Sequence, residues 1–188
     1  MRKLLNKNKY HYSLVSNSEI FGSCLDRVRS CSNRTTILIP HVCNNLDIFG
    51  GGFAKCIGDK FPEVKENYHL LGKNFLKNNF GYCQFIDINL SLPLRSKIIA
   101  CNMICQDGFP SNSKQRALHY GGLVSSMYKV KKYILDLKSQ AKDDIHNIEI
   151  HAPKFGSGIA GGNWNFISDL IEDIWSDMPV FIYQFNNK

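Results

Sequence analysis

The sequence predicts an α/β fold in which a largely parallel or mixed central sheet is covered by helices on both faces. Three observations predict it. Short β-prone runs alternate with longer stretches of helical periodicity along the 188 residues. Residues 35–40 read as a continuous apolar run, as a strand buried on both faces does. Two glycine-rich loops stand where a strand pattern gives way to a helical one: Gly50-Gly51-Gly52-Phe53-Ala54 and Gly156-Ser157-Gly158-Ile159-Ala160-Gly161-Gly162. Glycines at such a junction let the backbone approach a ligand and turn its N–H groups toward it, and the following helix adds a positive dipole end.

Residues 10–16 alternate and carry β-prone types, which makes them a first strand. A short helix is expected over 19–31, then the strand at 35–40. Residues 52–60 are helical in pattern until Phe61-Pro62 breaks it, and 63–78 resume the helical pattern. Strands follow at 82–88 and 97–104. A polar loop at 106–114 leads to a long helix near 115–139, where Leu118, Leu123, Met127, Val130, Ile134 and Leu137 recur at helical spacing. A strand at 147–151, a helix at 163–175 and a closing strand at 179–185 complete the chain. With no internal repeat and no linker composition, a single domain over 10–188 is expected, preceded by a basic, disordered segment at 1–9.

A hydrophobic share of 44% and a charged share of 21% suit a globular fold. No apolar stretch approaches the ~20 residues that span a bilayer, and the basic N-terminus has no apolar segment behind it, so a cytoplasmic protein is expected. Seven scattered cysteines, with no C-x-x-C pair and no zinc-finger spacing, read as buried thiols, and no metal or cofactor is expected. The net charge of +7 is dispersed and lacks basic-aromatic interleaving. A diffuse positive field would also attract a small polyanion, and charge alone does not choose between that and a nucleic acid. The expected partner is a small-molecule ligand rather than nucleic acid, and a monomer is expected.

Gly156-Ser157-Gly158-Ile159-Ala160-Gly161 satisfies G-x-G-x-x-G literally. A dinucleotide-binding unit would place it in the first strand-to-helix turn with an acid about 20 residues on, and the strand that follows here ends without one. It also lacks the Lys-Ser/Thr ending of a P-loop. Two glycine loops about a hundred residues apart instead suit two parts of one phosphate-bearing ligand, such as a diphosphate and a sugar.

In order along the chain, Ser18-Glu19-Ile20-Phe21, His41-Val42-Cys43-Asn44-Asn45 with Gly50–Ala54, and Pro153–Gly161 with Trp164 beyond it resemble the motifs of the macrodomain family. The resemblance implies a three-layer α/β/α sandwich with a mixed sheet of about six strands and recognition of ADP-ribose. It implies that Glu19 accepts the adenine amino group and Ile20 supplies a backbone N–H. Asn44, Gly50, Gly51, Gly52 and Phe53 would surround the distal ribose, and Gly156, Ser157, Gly158, Ile159, Ala160 and Gly161 would wrap the diphosphate. Ala54, Gln106 and Ala160 stand where the protein-deribosylating branches carry Asp, Lys and Asp. Gly-Phe-Ala in the first loop is similar instead to the branch that removes phosphate from ADP-ribose 1″-phosphate, an activity of NAD metabolism.

For catalysis, His41 and Asp107 are the expected groups, both at strand ends facing the distal ribose. His41 would act as general acid, base or nucleophile, Asp107 would orient it or activate water, and Asn44 would position the ribose hydroxyls. His151 is a third candidate, and a hydrogen-bonded framework role is the alternative for either histidine. Three function classes follow: a phosphatase, a non-catalytic module that binds ADP-ribose or a related signalling nucleotide, and a basic nucleic-acid binder. A de-ADP-ribosylating hydrolase is a further variant of the first.

Overall fold

The computed structural model describes residues 11–15, 17–92, 95–140 and 146–185. The expected disordered segment 1–9 lies outside the described residues. The described elements run β1 (His11–Val15), α1 (Asn17–Ser30), β2 (Arg34–Asn44), α2 (Gly52–Lys60), α3 (Pro62–Leu70), α4 (Gly72–Asn78), β3 (Cys83–Asp87), β4 (Lys97–Gln106), α5 (Tyr120–Gln140), β5 (His146–Pro153), α6 (Trp164–Ile174) and β6 (Val180–Phe185).

One six-stranded sheet has the order β1-β6-β5-β2-β4-β3. Every neighbouring pair is parallel except β3 and β4. The alternation of side chains along each strand builds two cores. Leu38, Ile99, Cys101, Met103, Ile148, Ile150 and Ile182 face α5 and α6, meeting Leu123, Met127, Val130, Ile167 and Ile171. Ile37, Ile39, Cys43, Ile98, Ala100 and Ile104 face the other way, onto Ile20, Cys24 and Val28 of α1, Ile57 of α2, Tyr68 of α3 and Leu76 of α4. The mixed three-layer α/β/α sandwich expected from the sequence is the architecture found. Among the described residues no helix is long and apolar enough to cross a membrane.

Beyond shifts of one or two residues at element ends, three features differ from the sequence reading. β2 runs to Asn44 rather than ending at 40, because β4 pairs with it from Thr36↔Lys97 through Asn44↔Gln106. His41 therefore lies within the strand rather than at its end. The helix expected over 63–78 is two, α3 and α4, divided at Leu71-Gly72, where Gly72 has φ +74. Residues 115–119 are not the start of α5: the amides of Ala117 and Leu118 both donate to Ala160 O, at 3.0 and 2.9 Å, so they cannot serve a helix ladder. Leu118 packs into the core from that extended segment.

Candidate functional site

The parallel strands β5, β2 and β4 lie side by side, and their carboxyl ends (Pro153, Asn44 and Gln106) open on the same edge of the sheet. This is where open α/β sheets place ligands. The segments that leave those ends close around one cavity of about 210 Å³. It is lined by His41–Asn44 of β2, Ile48, Gly51–Ala54, Gln106, Phe109, Pro153–Gly156 and Gly158–Ala160. The two glycine loops, far apart in sequence, thus form opposite walls of one space. A Cβ placed on Gly51 would meet Ile159 Cδ1 at 3.3 Å, and one on Gly52 would meet it at 3.6 Å.

The second loop closes on itself through Gly161 N–H to Gly158 O at 2.9 Å and Gly162 N–H to Gly156 O at 2.8 Å. Among the described residues, the amides of Gly156, Ser157, Gly158, Ile159 and Ala160 have no main-chain acceptor. Unpaired amides on a curved backbone form a concavity suited to an anion. The loop is pinned from behind, where Ala160 O accepts from Ala117 and Leu118. Asn163 Oδ1 caps α6 by accepting from Asn165 N–H at 2.9 Å and Phe166 N–H at 3.4 Å, so α6 keeps its own first turn satisfied.

In the first loop two adjacent asparagines act as stitches. Asn44 Oδ1 accepts from Leu46 N–H at 2.8 Å and Ile48 N–H at 3.4 Å, its Nδ2 donates to Ile48 O, and its main-chain carbonyl accepts from the Tyr68 hydroxyl at 2.8 Å. Most of its hydrogen-bonding capacity is thus spent shaping residues 46–48, and one Nδ2 hydrogen remains. Asn45 Nδ2 donates to Asp107 Oδ1 at 3.0 Å, and its Oδ1 accepts from Gly108 N–H at 2.9 Å, which ties the first loop to the segment after β4. Gly51 caps α2, whose first turn opens toward the cavity.

His41 sits at the cavity floor, 1% exposed, between Phe49 and Phe53 with ring centroids 6.0 and 5.5 Å away. Its Nδ1 is 3.4 Å from Ile39 O; a carbonyl only accepts, so Nδ1 carries the hydrogen and Nε2 holds a lone pair. Nε2 is buried without a partner among the described residues. Burial, partly offset by the Ile39 carbonyl, lowers the imidazole pKa to about 4. The ring is neutral at pH 7 and offers an acceptor, not a proton.

Asp107 departs from its expected place. It does not line the cavity but turns outward, half-exposed, to pair with Lys114 and Asn45. Those hydrogen bonds, that to Lys114 foremost, lower its pKa. Glu19 and Ile20 also fall outside the lining: Glu19 is exposed in the first turn of α1, and Ile20 is fully buried in the core. Their helix reaches the cavity wall through Phe21, whose ring lies 5.7 Å from that of Phe53. Gly50, Ser157 and Gly161 are not among the lining residues.

His151 serves the framework. Its Nε2 is 3.1 Å from Glu149 Oε2 and its Nδ1 2.7 Å from the Tyr183 hydroxyl, and it stacks on Phe181 at 4.5 Å. Arg27 of α1 donates to both Glu149 oxygens at 2.6–3.0 Å. Burial alone would raise the Glu149 pKa, but the hydrogen bonds from His151 and Arg27 outweigh it and lower it to about 2.

Sequence reasoning passed over Ile48, Phe109 and Lys154 as site residues. Ile48 and Phe109 are 46% and 42% exposed; Phe109 is an apolar side chain in an otherwise polar loop, and that contrast was the signal available for it. Among the lining residues Lys154 is the one charged side chain, and no carboxylate accompanies it.

No family model matches the chain. Over 161 residues, 78% of this chain and 89% of the relative, it is 23% identical to an ADP-ribose 1″-phosphate phosphatase from Saccharomyces cerevisiae strain YJM789. A macrodomain protein from Streptomyces coelicolor superposes with a TM-score of 0.63 and 22% identity, covering 93% of this chain and 98% of that one. Thermosipho africanus DarTG, solved in complex with ADP-ribose, superposes with a TM-score of 0.52 and 18% identity over 78% of this chain and 37% of its own length. With a mixed sheet between two helical layers and both glycine loops at its carboxyl edge, this chain has the same fold as these macrodomain structures.

Proposed function

We propose that the cavity binds ADP-ribose or a small ADP-ribose derivative and hydrolyses ADP-ribose 1″-phosphate to ADP-ribose and phosphate. One observation carries the reading: the two glycine loops converge on a single cavity, with the uncommitted amides of Gly156–Ala160 on one wall and Gly51–Phe53 on the other. A diphosphate takes the amides of the second loop and the distal ribose lies against the first. The relation to a yeast protein named for this phosphatase activity supports the choice of substrate.

In the hydrolysis, water oxygen bonds to phosphorus and the bond from phosphorus to O1″ breaks. Neutral His41 accepts the proton from water through Nε2, and that proton ends on the departing O1″. A base that is unprotonated at pH 7 is what such an attack requires. Asn44 holds the Leu46–Ile48 segment in shape and offers its remaining Nδ2 hydrogen to the ribose. Asp107 acts at a distance, by holding Asn45 and so the first loop.

Incubation with ADP-ribose 1″-phosphate, following inorganic phosphate, tests the reading: turnover that His41→Asn abolishes supports it. Tight ADP-ribose binding without turnover at micromolar enzyme would instead favour a pure binding module. A specific observation favours that second reading, since Asp107 faces away from the cavity and Asn44 is largely occupied by its own loop.

A further inference from the structure

We propose that Lys154 is the counter-charge of this cavity, a binding residue that makes the site select an anionic, diphosphate-bearing ligand without a metal. The proposal rests on the placement of the diphosphate against the second glycine loop.

Three observations meet at this side chain. Lys154 lines the cavity at the start of the second loop, immediately before the run of amides that have no main-chain acceptor. Its ammonium has no carboxylate or hydrogen-bond partner among the described residues, whereas Lys55, Lys97, Lys114 and Lys131 each pair with an aspartate. Its Nζ stands 5.2 Å from the centroid of the Trp164 ring, at the first residue of α6. An indole face attracts an ammonium and restricts where it points.

The backbone beneath is fixed as well. Lys154 N–H donates to Tyr183 O at 2.8 Å, and its carbonyl accepts from the Ser157 hydroxyl at 3.3 Å. The stem therefore leaves a rigid base, and the indole limits the sweep of the head. Ordering a flexible lysine on a ligand normally costs rotamer freedom, and a lysine already confined loses less of it. A diphosphate seated on the loop amides brings negative charge into a space with no other cation on its wall, where an ammonium gains most. A metal bridge is then unnecessary, and no group of His, Cys, Asp and Glu among the described residues is placed to hold one.

The test is calorimetric titration of the full chain with ADP-ribose, adenosine and inorganic pyrophosphate, comparing wild type with Lys154→Met, Lys154→Arg and Trp164→Leu. Lys154→Met should weaken ADP-ribose and pyrophosphate about tenfold, the loss expected for one hydrogen bond to a charged group, and leave adenosine unchanged. Lys154→Arg should recover most of that affinity. Trp164→Leu should weaken both anions by about threefold through the freed ammonium. The affinity of Lys154→Met should also fall less steeply with salt than that of wild type. Equal anion affinity in wild type and Lys154→Met overturns the proposal, as does an equal loss for adenosine, which would mean a packing role. Wild type that binds pyrophosphate through Lys154 but not ADP-ribose would support the counter-charge and overturn the ADP-ribose reading. Binding of neither anion overturns both.

Discussion

Ile159 and Gly51 meet across the cavity, with 3.3 Å between Ile159 Cδ1 and the position a Cβ on Gly51 would take. That approach, with the one from Gly52 at 3.6 Å, brings together two loops whose strands are separated by about a hundred residues. Gly51 has φ −133 and ψ 153, extended backbone that any residue adopts. Its glycine is thus a matter of space rather than of conformation. Gly51→Glu should leave the thermal midpoint within about 2 °C of wild type while weakening ADP-ribose binding by well over tenfold, because a side chain and a negative charge fill the ribose-phosphate end. Unaltered affinity in calorimetry would contradict the placement of the first loop.

Gly162 presents the opposite case. A Cβ there would come within 2.4 Å of Leu118 Cδ2 and 2.7 Å of Gly156 O, and the second neighbour is backbone that cannot move aside. Gly162→Ala should cost about 2 kcal/mol in chemical denaturation, as overpacking at a tight site does. Gly158 meets nothing within 4 Å, so Gly158→Ala should unfold at the denaturant concentration of wild type. A destabilisation equal in both would mean that the loop is not held as described.

Buried Glu149 and His151, with the exposed Arg27 paired to Glu149, predict a pH dependence of stability. The folded pKa of Glu149, about 2, lies below its ordinary 4.5, so the unfolded chain takes up this proton first. The stabilisation is complete above pH 4.5 and is lost as the pH falls toward 2. Glu149→Gln leaves the exposed Arg27 without its carboxylate and should cost about 1 kcal/mol at pH 7, with the difference from wild type shrinking below pH 4. Denaturation curves at several pH values measure it. A penalty that stays constant down to pH 2.5 would argue against the ion pair.

His41 titrates in a higher window. Its pKa is about 4 when folded and 6.5 ordinarily, so in this case too the unfolded chain binds the proton first. Its contribution is lost as the pH falls from 6.5 to 4, mostly above the range in which Glu149 acts. If His41 is the base in hydrolysis, kcat should stay level from pH 8 to pH 5 and fall only near pH 4. His41→Asn should then lower kcat by at least about 10²-fold. An acid limb centred near 6.5 would mean an exposed imidazole and would remove His41 from the cavity floor.

Much of the fold was legible because burial on both faces leaves a plain mark: Ile37, Leu38 and Ile39 in β2 and Ile98 to Cys101 in β4 are apolar without alternation. The glycine loops were legible for the same kind of reason, since close backbone approach excludes side chains. The true end of β2 was hidden, because His41, Cys43 and Asn44 are paired by β4, a partner some 60 residues away. The start of α5 was hidden likewise: Leu118 fits the helical period, but Ala160 O captures its amide. The orientation of Asp107 depended on Lys114 and Asn45, neither of which its spacing singles out. Lys154 was passed over because one lysine among many carries no sequence mark until the cavity wall shows that no other charge shares it.

The most direct measurement is calorimetric titration of the intact chain with ADP-ribose beside AMP, in wild type and in Gly51→Glu. The predicted result is one-to-one binding of ADP-ribose, clearly tighter than AMP because both loops are engaged, and lost in Gly51→Glu. Equal affinity for AMP and ADP-ribose, or no heat with either, would contradict a shared cavity in which two main-chain walls hold one sugar-diphosphate.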